Sequence, residues 1–98
     1  MLPPDAVPYR RTAEFSETTV PDGLLRAHST KSGAWGLIHV LAGRLAYRIT
    51  DPRRSASETV LTPDGEPGLV EPTILHEVEP LGPVRFYVEF LRSAEDGG

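Results

Sequence analysis

The sequence contains no cysteine, and this absence excludes three kinds of chemistry. Disulfide bonds, thiolate-bound zinc and cysteine nucleophiles all require a thiol, so any bound metal must use nitrogen or oxygen ligands. No apolar run approaches the roughly 18 residues of a membrane-spanning helix, and the N-terminus has neither the basic start nor the apolar stretch of a signal peptide. We therefore expect a soluble, cytoplasmic protein with no membrane partner.

The length and the net charge of the chain exclude further classes of protein. A chain of 98 residues, 39% hydrophobic and 24% charged, fits one small globular domain and is too short for a large multidomain enzyme. The formal net charge of -4 has the wrong sign for neutralising phosphates, which supplies most of the nonspecific affinity for nucleic acids. Nucleic acid is therefore not an expected partner.

Prolines and glycines interrupt nearly every stretch that could hold a long helix. The chain has 10 prolines and 9 glycines, and proline breaks the hydrogen bonds of a helix interior. The pattern predicts an all-β, single-domain sandwich or barrel built from short strands. The predicted strands cover residues 7–12, 24–28, 35–41, 44–50, 58–61, 68–70, 74–78 and 84–91.

The last predicted strand has the clearest alternation of apolar and polar residues. Val84, Phe86, Val88 and Phe90 share one face, which we expect to lie in the core. Residues 93–98 lose this alternation and end in two glycines. They predict a frayed tail that follows a domain of residues 1–92.

Residues 35–50 predict a β-hairpin around Gly43, and two registers compete for it. A two-residue turn places Ile38 and Val40 in the core and leaves His39 facing outward. A three-residue loop with Gly43 in a bulge reverses the first strand and turns His39 inward. The count of apolar residues does not choose between the two registers.

Four segments, in order along the chain, together carry a resemblance to a known family. They are LLRAHSTKSGAWG, VLAGRL, VEPTILHEVEP and FYVEF, which begin at residues 24, 40, 70 and 86. This set resembles the cupin-like domain of TehB-type tellurite-resistance proteins and their stand-alone YeaR-like relatives. The resemblance implies a cupin-like jelly-roll β-barrel that is commonly paired into homodimers. TehB proteins attach a methyltransferase domain after this module, and we expect no methyltransferase activity from the present chain.

The general cupin pattern maps onto a few positions of this sequence. His28 falls near the histidines of the first cupin motif, Gly43 on its turn glycine and His76 on the histidine of the second motif. Thr30 and Gly36 stand where the family's second histidine and its glutamate would be. The resemblance therefore implies two of the usual metal ligands and not the full set.

The same resemblance bears on the two possible registers of the hairpin. It implies that Gly36, Ile38 and Val40 point inward, which favours the two-residue turn and an outward His39. The apolar side chains that would then face outward are Trp35, Leu37 and Leu41. A homodimer would cover this apolar set, and so would the facing sheet or residues 7–15 if either folded over it within one chain.

The candidate ligand pocket contains His28, His76, Tyr47 and Lys31. Imidazole is the commonest protein ligand for zinc, nickel and non-haem iron, so His28 and His76 are the candidate ligands of a divalent metal. The alternative is a hydrogen-bonded pair that lines a pocket without metal. Lys31, the only lysine, could receive an anion or solvate a turn, and Tyr47 could present its hydroxyl to the cavity or serve as core.

The leading hypothesis is a small stress-response domain that binds a small molecule or an oxyanion in the pocket of a barrel. One alternative is a metal-dependent enzyme of oxygenase or isomerase type, which needs a further ligand and an open coordination position. Another is a noncatalytic dimeric module that works through an interaction surface around Trp35. No catalytic residue is assigned from the sequence.

Overall fold

The computed structural model describes residues 2–26 and 28–93, and the all-β prediction is confirmed. A 3₁₀ turn at Asp22–Leu25 lies between the second and third strands. The strands are β1 (Ala6–Arg11), β2 (Phe15–Ser16), β3 (Trp35–Ala42), β4 (Leu45–Ile49), β5 (Ser57–Leu61), β6 (Gly68–Val70), β7 (His76–Pro80) and β8 (Arg85–Ser93).

The strands form two antiparallel sheets that pack face to face without closing into a continuous barrel. The five-stranded sheet has the order β1-β8-β3-β6, with β2 also paired to β8, and the three-stranded sheet has the order β5-β4-β7. Inward side chains from both sheets form one buried cluster. The space between the sheets is therefore both the core and the place where a cavity can form.

The prediction of a hairpin over residues 35–50 is wrong. Strand β3 pairs with β6 and β8, whereas β4 pairs with β5 and β7, so these two consecutive strands lie in different sheets. A register shift between Val40 and Ala42 marks the end of β3, and Gly43 then takes a left-handed φ of 80°. A hairpin and a change of sheet both need a glycine turn between two apolar strands, which is why the local sequence does not separate them.

The predicted alternation of buried residues is confirmed in β3 and β8 of the five-stranded sheet, except that Phe90 is only half-buried. Gly36, Ile38 and Val40 of β3 point into the core, as do Phe86 and Val88 of β8. The buried cluster consists of Ile38, Val40, Leu45, Tyr47, Leu61, Val70, Val78, Val84, Phe86 and Val88. Burial of this apolar surface is the main favourable contribution to folding.

His39 faces outward on β3, as predicted. Its ring stacks on Tyr87 of β8 with centroids 4.8 Å apart and planes 18° apart. Its Nε2 atom lies 3.1 Å from Oε1 of Glu89 on the same strand as Tyr87. His39 therefore belongs to a polar and aromatic group on the outer face of the larger sheet.

The outward apolar residues of β3 are only partly covered. Trp35 and Leu37 are half-buried, and Leu41 is exposed. Strand β1 extends the sheet on the far side of β8 and does not fold over β3. Within residues 2–26 and 28–93, no helix has the length and apolar character that crossing a bilayer requires.

Two predicted element boundaries need correction. The strand predicted over residues 24–28 is wrong, because the chain forms the 3₁₀ turn at Asp22–Leu25 and only His28 makes an isolated β-bridge. Proline at position 21 fixes the extended backbone that precedes the turn. Strand β8 extends through Ser93, which pairs with Ala6 and is buried. The rest of the predicted tail, residues 94–98, lies outside the described residues.

Candidate functional site

His28 and His76, separated by most of the chain, lie side by side in the structure. Their backbones form an antiparallel bridge in which each N–H donates to the other carbonyl oxygen at 2.8 Å. The two rings meet edge to face, with centroids 5.4 Å apart and planes 82° apart. The loop that precedes β3 thus brings the first imidazole to the start of β7, where the second one is located.

His76 is buried, and its environment determines which ring nitrogen carries a proton. Nδ1 lies 3.1 Å from the carbonyl oxygen of Ile74, which can only accept, so Nδ1 is the donor. Burial lowers the pKa of His76 below its ordinary value of about 6.5, with a smaller effect of His28 in the same direction, while the hydrogen bond to Ile74 opposes them. The ring is therefore neutral at pH 7, and Nε2 offers a lone pair.

A cavity of about 240 Å³ opens beside the two imidazoles, between the two sheets. It is lined mainly by apolar side chains from both sheets and from the 3₁₀ turn. The lining residues are Thr12, Phe15, Pro21, Gly23, Leu24, His28, Thr30, Ile38, Val70, His76, Val78, Phe86, Val88 and Phe90. An apolar hollow with a few polar groups on its wall is the usual form of a small-molecule site.

The threonine hydroxyls on the cavity wall are already engaged. Oγ1 of Thr30 donates to the carbonyl oxygen of Ala34 at 2.7 Å. Oγ1 of Thr12 donates to the carbonyl oxygen of Ala13 at 2.8 Å and accepts from the N–H of Val88 at 3.0 Å. The imidazoles are therefore the side chains best placed to make a polar contact with a molecule in the cavity.

Tyr47 and Lys31, the other two residues predicted for the pocket, occupy different places. The Tyr47 ring meets His76 edge to face at 5.7 Å, but its hydroxyl donates to the carbonyl oxygen of Leu69 at 2.7 Å. Burial, with a smaller effect of Glu71, raises the pKa of Tyr47 to about 12, so the hydroxyl stays protonated. Lys31 lies in a separate surface depression that shares no lining residue with the histidine cavity.

Among the residues that line the cavity, the two imidazoles are the side chains suited to binding a metal ion. No cluster of three or more histidine or carboxylate side chains suited to a metal ion occurs in the described part of the chain. Nearby Glu77 and Glu79 bind Arg48 instead, at 3.3 and 2.5 Å. Catalytic zinc sites usually have three protein ligands and structural sites four, so the residues present do not form either kind of site by themselves.

Asp51 is a structural residue of the site that the sequence analysis missed. Its buried carboxylate accepts from the backbone N–H and the guanidinium of Arg53 at 2.8 to 2.9 Å, and from the N–H of Leu75 at 3.0 Å. The guanidinium holds the pKa of Asp51 well below its usual range, and the two backbone donors act in the same direction. An aspartate before proline ordinarily signals only a turn, so local sequence did not reveal this role.

The contacts of Asp51 continue to both histidine-bearing segments. Leu75, which it holds, directly precedes His76 in the chain. Arg53 also donates to the carbonyl oxygen of Thr73 at 2.7 Å, and the N–H of Thr73 donates to the carbonyl oxygen of Thr30 at 3.0 Å. This chain of bonds fixes the two loops that present the imidazoles.

We expect Asp51→Asn to lower the midpoint of thermal unfolding by about 5–10 °C at pH 7. The amide removes the charge and places an N–H group among donors. Because the folded-state pKa of Asp51 is depressed, its stabilisation is present above the ordinary aspartate pKa of about 4 and is lost as the pH falls through the folded value. Circular dichroism melts should therefore show the difference from the wild type narrowing below pH 4. The control is Asp64→Asn, at an exposed turn, and an equal effect there would contradict the assignment.

Comparison with known proteins gives one family and several relatives. The family model of the TehB-like domain matches residues 10–88. A Haemophilus influenzae protein (strain ATCC 51907 / DSM 11121 / KW20 / Rd), named "Probable S-adenosyl-L-methionine-dependent methyltransferase TehB", is 32% identical over 74 residues, which are 74% of this chain and 26% of that protein. Its counterpart in strain 10810 is 31% identical over the same coverage. The chain thus spans about a quarter of the length of these relatives.

Two solved structures have the same fold. The crystal structure of TehB from H. influenzae matches with a TM-score of 0.85 and 26% identity, over 95% of this chain and 33% of that one. A crystal structure of an Escherichia coli (strain K12) protein matches with a TM-score of 0.80 and 19% identity, over 95% of this chain and 96% of that one. The fold therefore occurs both within a longer chain and in a chain of similar length.

Proposed function

The chain belongs to the TehB-like domain family, and from this premise and the cavity between the sheets we propose that it binds a small, largely apolar molecule against His28 and His76. The observation that carries the proposal is the apolar cavity of about 240 Å³ with two imidazoles on its wall. Methyl transfer is named for relatives of which this chain spans about a quarter, and it is not part of the proposal.

The size of the cavity limits the molecule it can hold. Sites for drug-sized ligands usually span about 300–1,000 Å³. A cavity of roughly 150 Å³ is enough to hold benzene. The present volume of about 240 Å³ therefore suits a molecule of one substituted or fused ring.

The wall chemistry favours a neutral ligand that carries one hydrogen-bond donor. Because Nδ1 of His76 donates to Ile74, the unprotonated Nε2 is an acceptor. None of the residues that line the cavity is a lysine or an arginine. A free oxyanion would lose its hydration there without gaining a cation, which is costly. Of the two ligands in the sequence hypothesis, a small molecule thus suits this cavity better than an oxyanion.

An indole titration followed by amide NMR shifts tests the proposal. We expect binding to wild-type protein, with the largest shifts at His76, Val78 and Val88, and a loss of at least tenfold in affinity for Val88→Phe, which fills the cavity. The matched control is Val60→Phe at an exposed position on β5, which should bind as the wild type does.

Two further variants keep this test decisive. A β-carbon at Gly23, on the cavity wall, would meet no atom within 4 Å, and we expect Gly23→Leu to narrow the entrance to the cavity. His76→Phe should weaken indole, which has an N–H donor, about tenfold and leave naphthalene, which has none, within twofold. Binding that survives both Val88→Phe and Gly23→Leu would overturn the proposal.

A second candidate function is a weak divalent-metal site completed by the bound molecule or by solvent. It is favoured by the hydrogen bond from Nδ1 of His76 to Ile74, since metal-bound histidines commonly donate their other ring nitrogen in this way. Rings with centroids 5.4 Å apart are close enough to share one ion at Zn–N distances of about 2.0 to 2.1 Å. Calorimetric titration with zinc should then give one weak site that both His28→Ala and His76→Ala remove. A heat of zinc binding that is the same in both variants as in the wild type would exclude the metal site.

A further inference from the structure

A second depression, of about 200 Å³, lies on the surface apart from the histidine cavity. It is formed by the edge strand β1, the loop before β3 and the end of β8. Its lining residues are Tyr9, Lys31, Ser32, Gly33, Ala34 and Arg92. In contrast to the histidine cavity, this one has two cationic side chains on its wall.

Neither of these two cations forms an ion pair within residues 2–26 and 28–93. Arg48, Arg53 and Arg54 each bind a carboxylate at hydrogen-bonding distance. Among the described residues, by contrast, no carboxylate lies within ion-pair distance of Lys31 or Arg92. In a chain with a net charge of -4, this makes the depression a local region of positive charge.

Aromatic contact and a bulge position the arginine of this pair. The register of β1 against β8 shifts between Pro8 and Arg10, which places Tyr9 in a β-bulge. Bulges re-aim side chains, and the Arg92 guanidinium lies 5.1 Å from the centroid of the Tyr9 ring. This cation–π contact holds the guanidinium at the rim of the depression.

The backbone of the loop supplies further donors. The N–H of Ala34 donates to the carbonyl oxygen of Lys31 at 3.1 Å, and Gly33 has a φ of 82°, so residues 31–34 form a tight turn. In the described ranges, no protein acceptor takes the N–H of Ser32 or Gly33. Turn N–H groups next to a lysine and an arginine form the usual surroundings of a bound oxyanion.

We propose that this depression binds a small oxyanion group, held by Lys31, Arg92 and the turn at Ser32 and Gly33. The sequence hypothesis placed an oxyanion in the same pocket as His28 and His76 and included Lys31 there. The present proposal places the oxyanion at Lys31, in the separate depression. The chemical class is a phosphate-like oxyanion, free or as a monoester. Two cations in an acidic chain are too few for a nucleic-acid surface.

Inorganic phosphate at low salt is the probe, and amide NMR shifts with isothermal calorimetry are the readouts. We expect shifts centred on Ser32 and Gly33, and affinity that falls at least fivefold in Lys31→Gln and in Arg92→Gln. The matched control is Arg44→Gln, the same change of charge beyond the opposite end of β3, which spans 8 residues or about 25 Å. It should stay within twofold of the wild type.

The outcomes separate this site from the histidine cavity. Val88→Phe, which should block indole, must leave phosphate affinity unchanged. Glycerol 3-phosphate that binds more tightly than inorganic phosphate identifies a monoester as the source, and equal affinity identifies the free anion. Shifts centred on His28 and His76, or a loss in Arg44→Gln equal to that in Lys31→Gln, would overturn the proposal.

Discussion

Gly43→Ala should destabilise the protein by more than about 3 kcal/mol, a large share of the roughly 5–15 kcal/mol that stabilises a typical domain. A β-carbon at this position would lie 2.0 Å from the carbonyl oxygen of Pro83 and 3.0 Å from Cα of Val84. Both neighbours are backbone atoms, so no side-chain rotation relieves the contact. The left-handed φ of 80° adds strain for any residue with a β-carbon.

Substitutions at two other glycines distinguish the stability loss caused by the steric clash from the loss caused by backbone strain. Gly82 has a φ of 113°, but a β-carbon there meets nothing within 4 Å, so Gly82→Ala should cost about 1–3 kcal/mol, from backbone strain alone. Gly23→Ala has neither problem and should fall within about 0.5 kcal/mol of the wild type. Urea unfolding measures all three variants. Equal stability of the Gly43 and Gly82 variants would show that the contact with Pro83 is not what constrains this crossing between the sheets.

Phe86→Ala should cost about 3–5 kcal/mol, the usual range for removal of a fully buried phenylalanine. Phe86 is 0% exposed and lies between the two sheets, where its ring meets Phe15 edge to face at 5.6 Å. It also lines the histidine cavity. The substitution therefore removes core packing and enlarges the cavity at the same time.

The functional consequence of Phe86→Ala is measured with a ligand series. We expect the variant to gain affinity for naphthalene relative to benzene and to regain part of its lost thermal stability when naphthalene is added. The matched control is Phe90→Ala, which lines the same cavity but is only half-buried and should lose less stability. A variant that loses stability but whose ligand preference is unchanged would show that the space left by Phe86 collapses.

The strand pattern and the inward faces followed from short-range information. Alternation along β3 and β8 requires one face of each strand to be buried, and this is independent of which strands become neighbours. The same reasoning explains why His39 could be assigned to the outer face even though its assumed hairpin does not exist. In the structure His39 lies opposite Tyr87 of the neighbouring strand β8, and it does not lie opposite a residue of β4.

Contacts between residues that are distant in the chain could not be predicted from short-range sequence information. Lys31 lies only three positions from His28 in the chain, yet the turn at Gly33 sends it to a depression shared with Tyr9 and Arg92. Asp51 holds the loop before His76 through Leu75, a contact between segments 24 positions apart. Neither arrangement leaves a local pattern in the sequence, because each depends on loops that approach one another only after the sheets have formed.

The all-β class, the inward residues of the main strands and the absence of thiol chemistry were predictable from the sequence alone, because composition and two-residue periodicity act on each strand separately. Three features depend on the tertiary structure: β3 and β4 enter different sheets, His28 and His76 lie on one cavity wall, and Lys31 and Arg92 line a separate depression. Strand pairing and loop contacts are long-range interactions, and their free energy depends on residues that only the whole fold brings together.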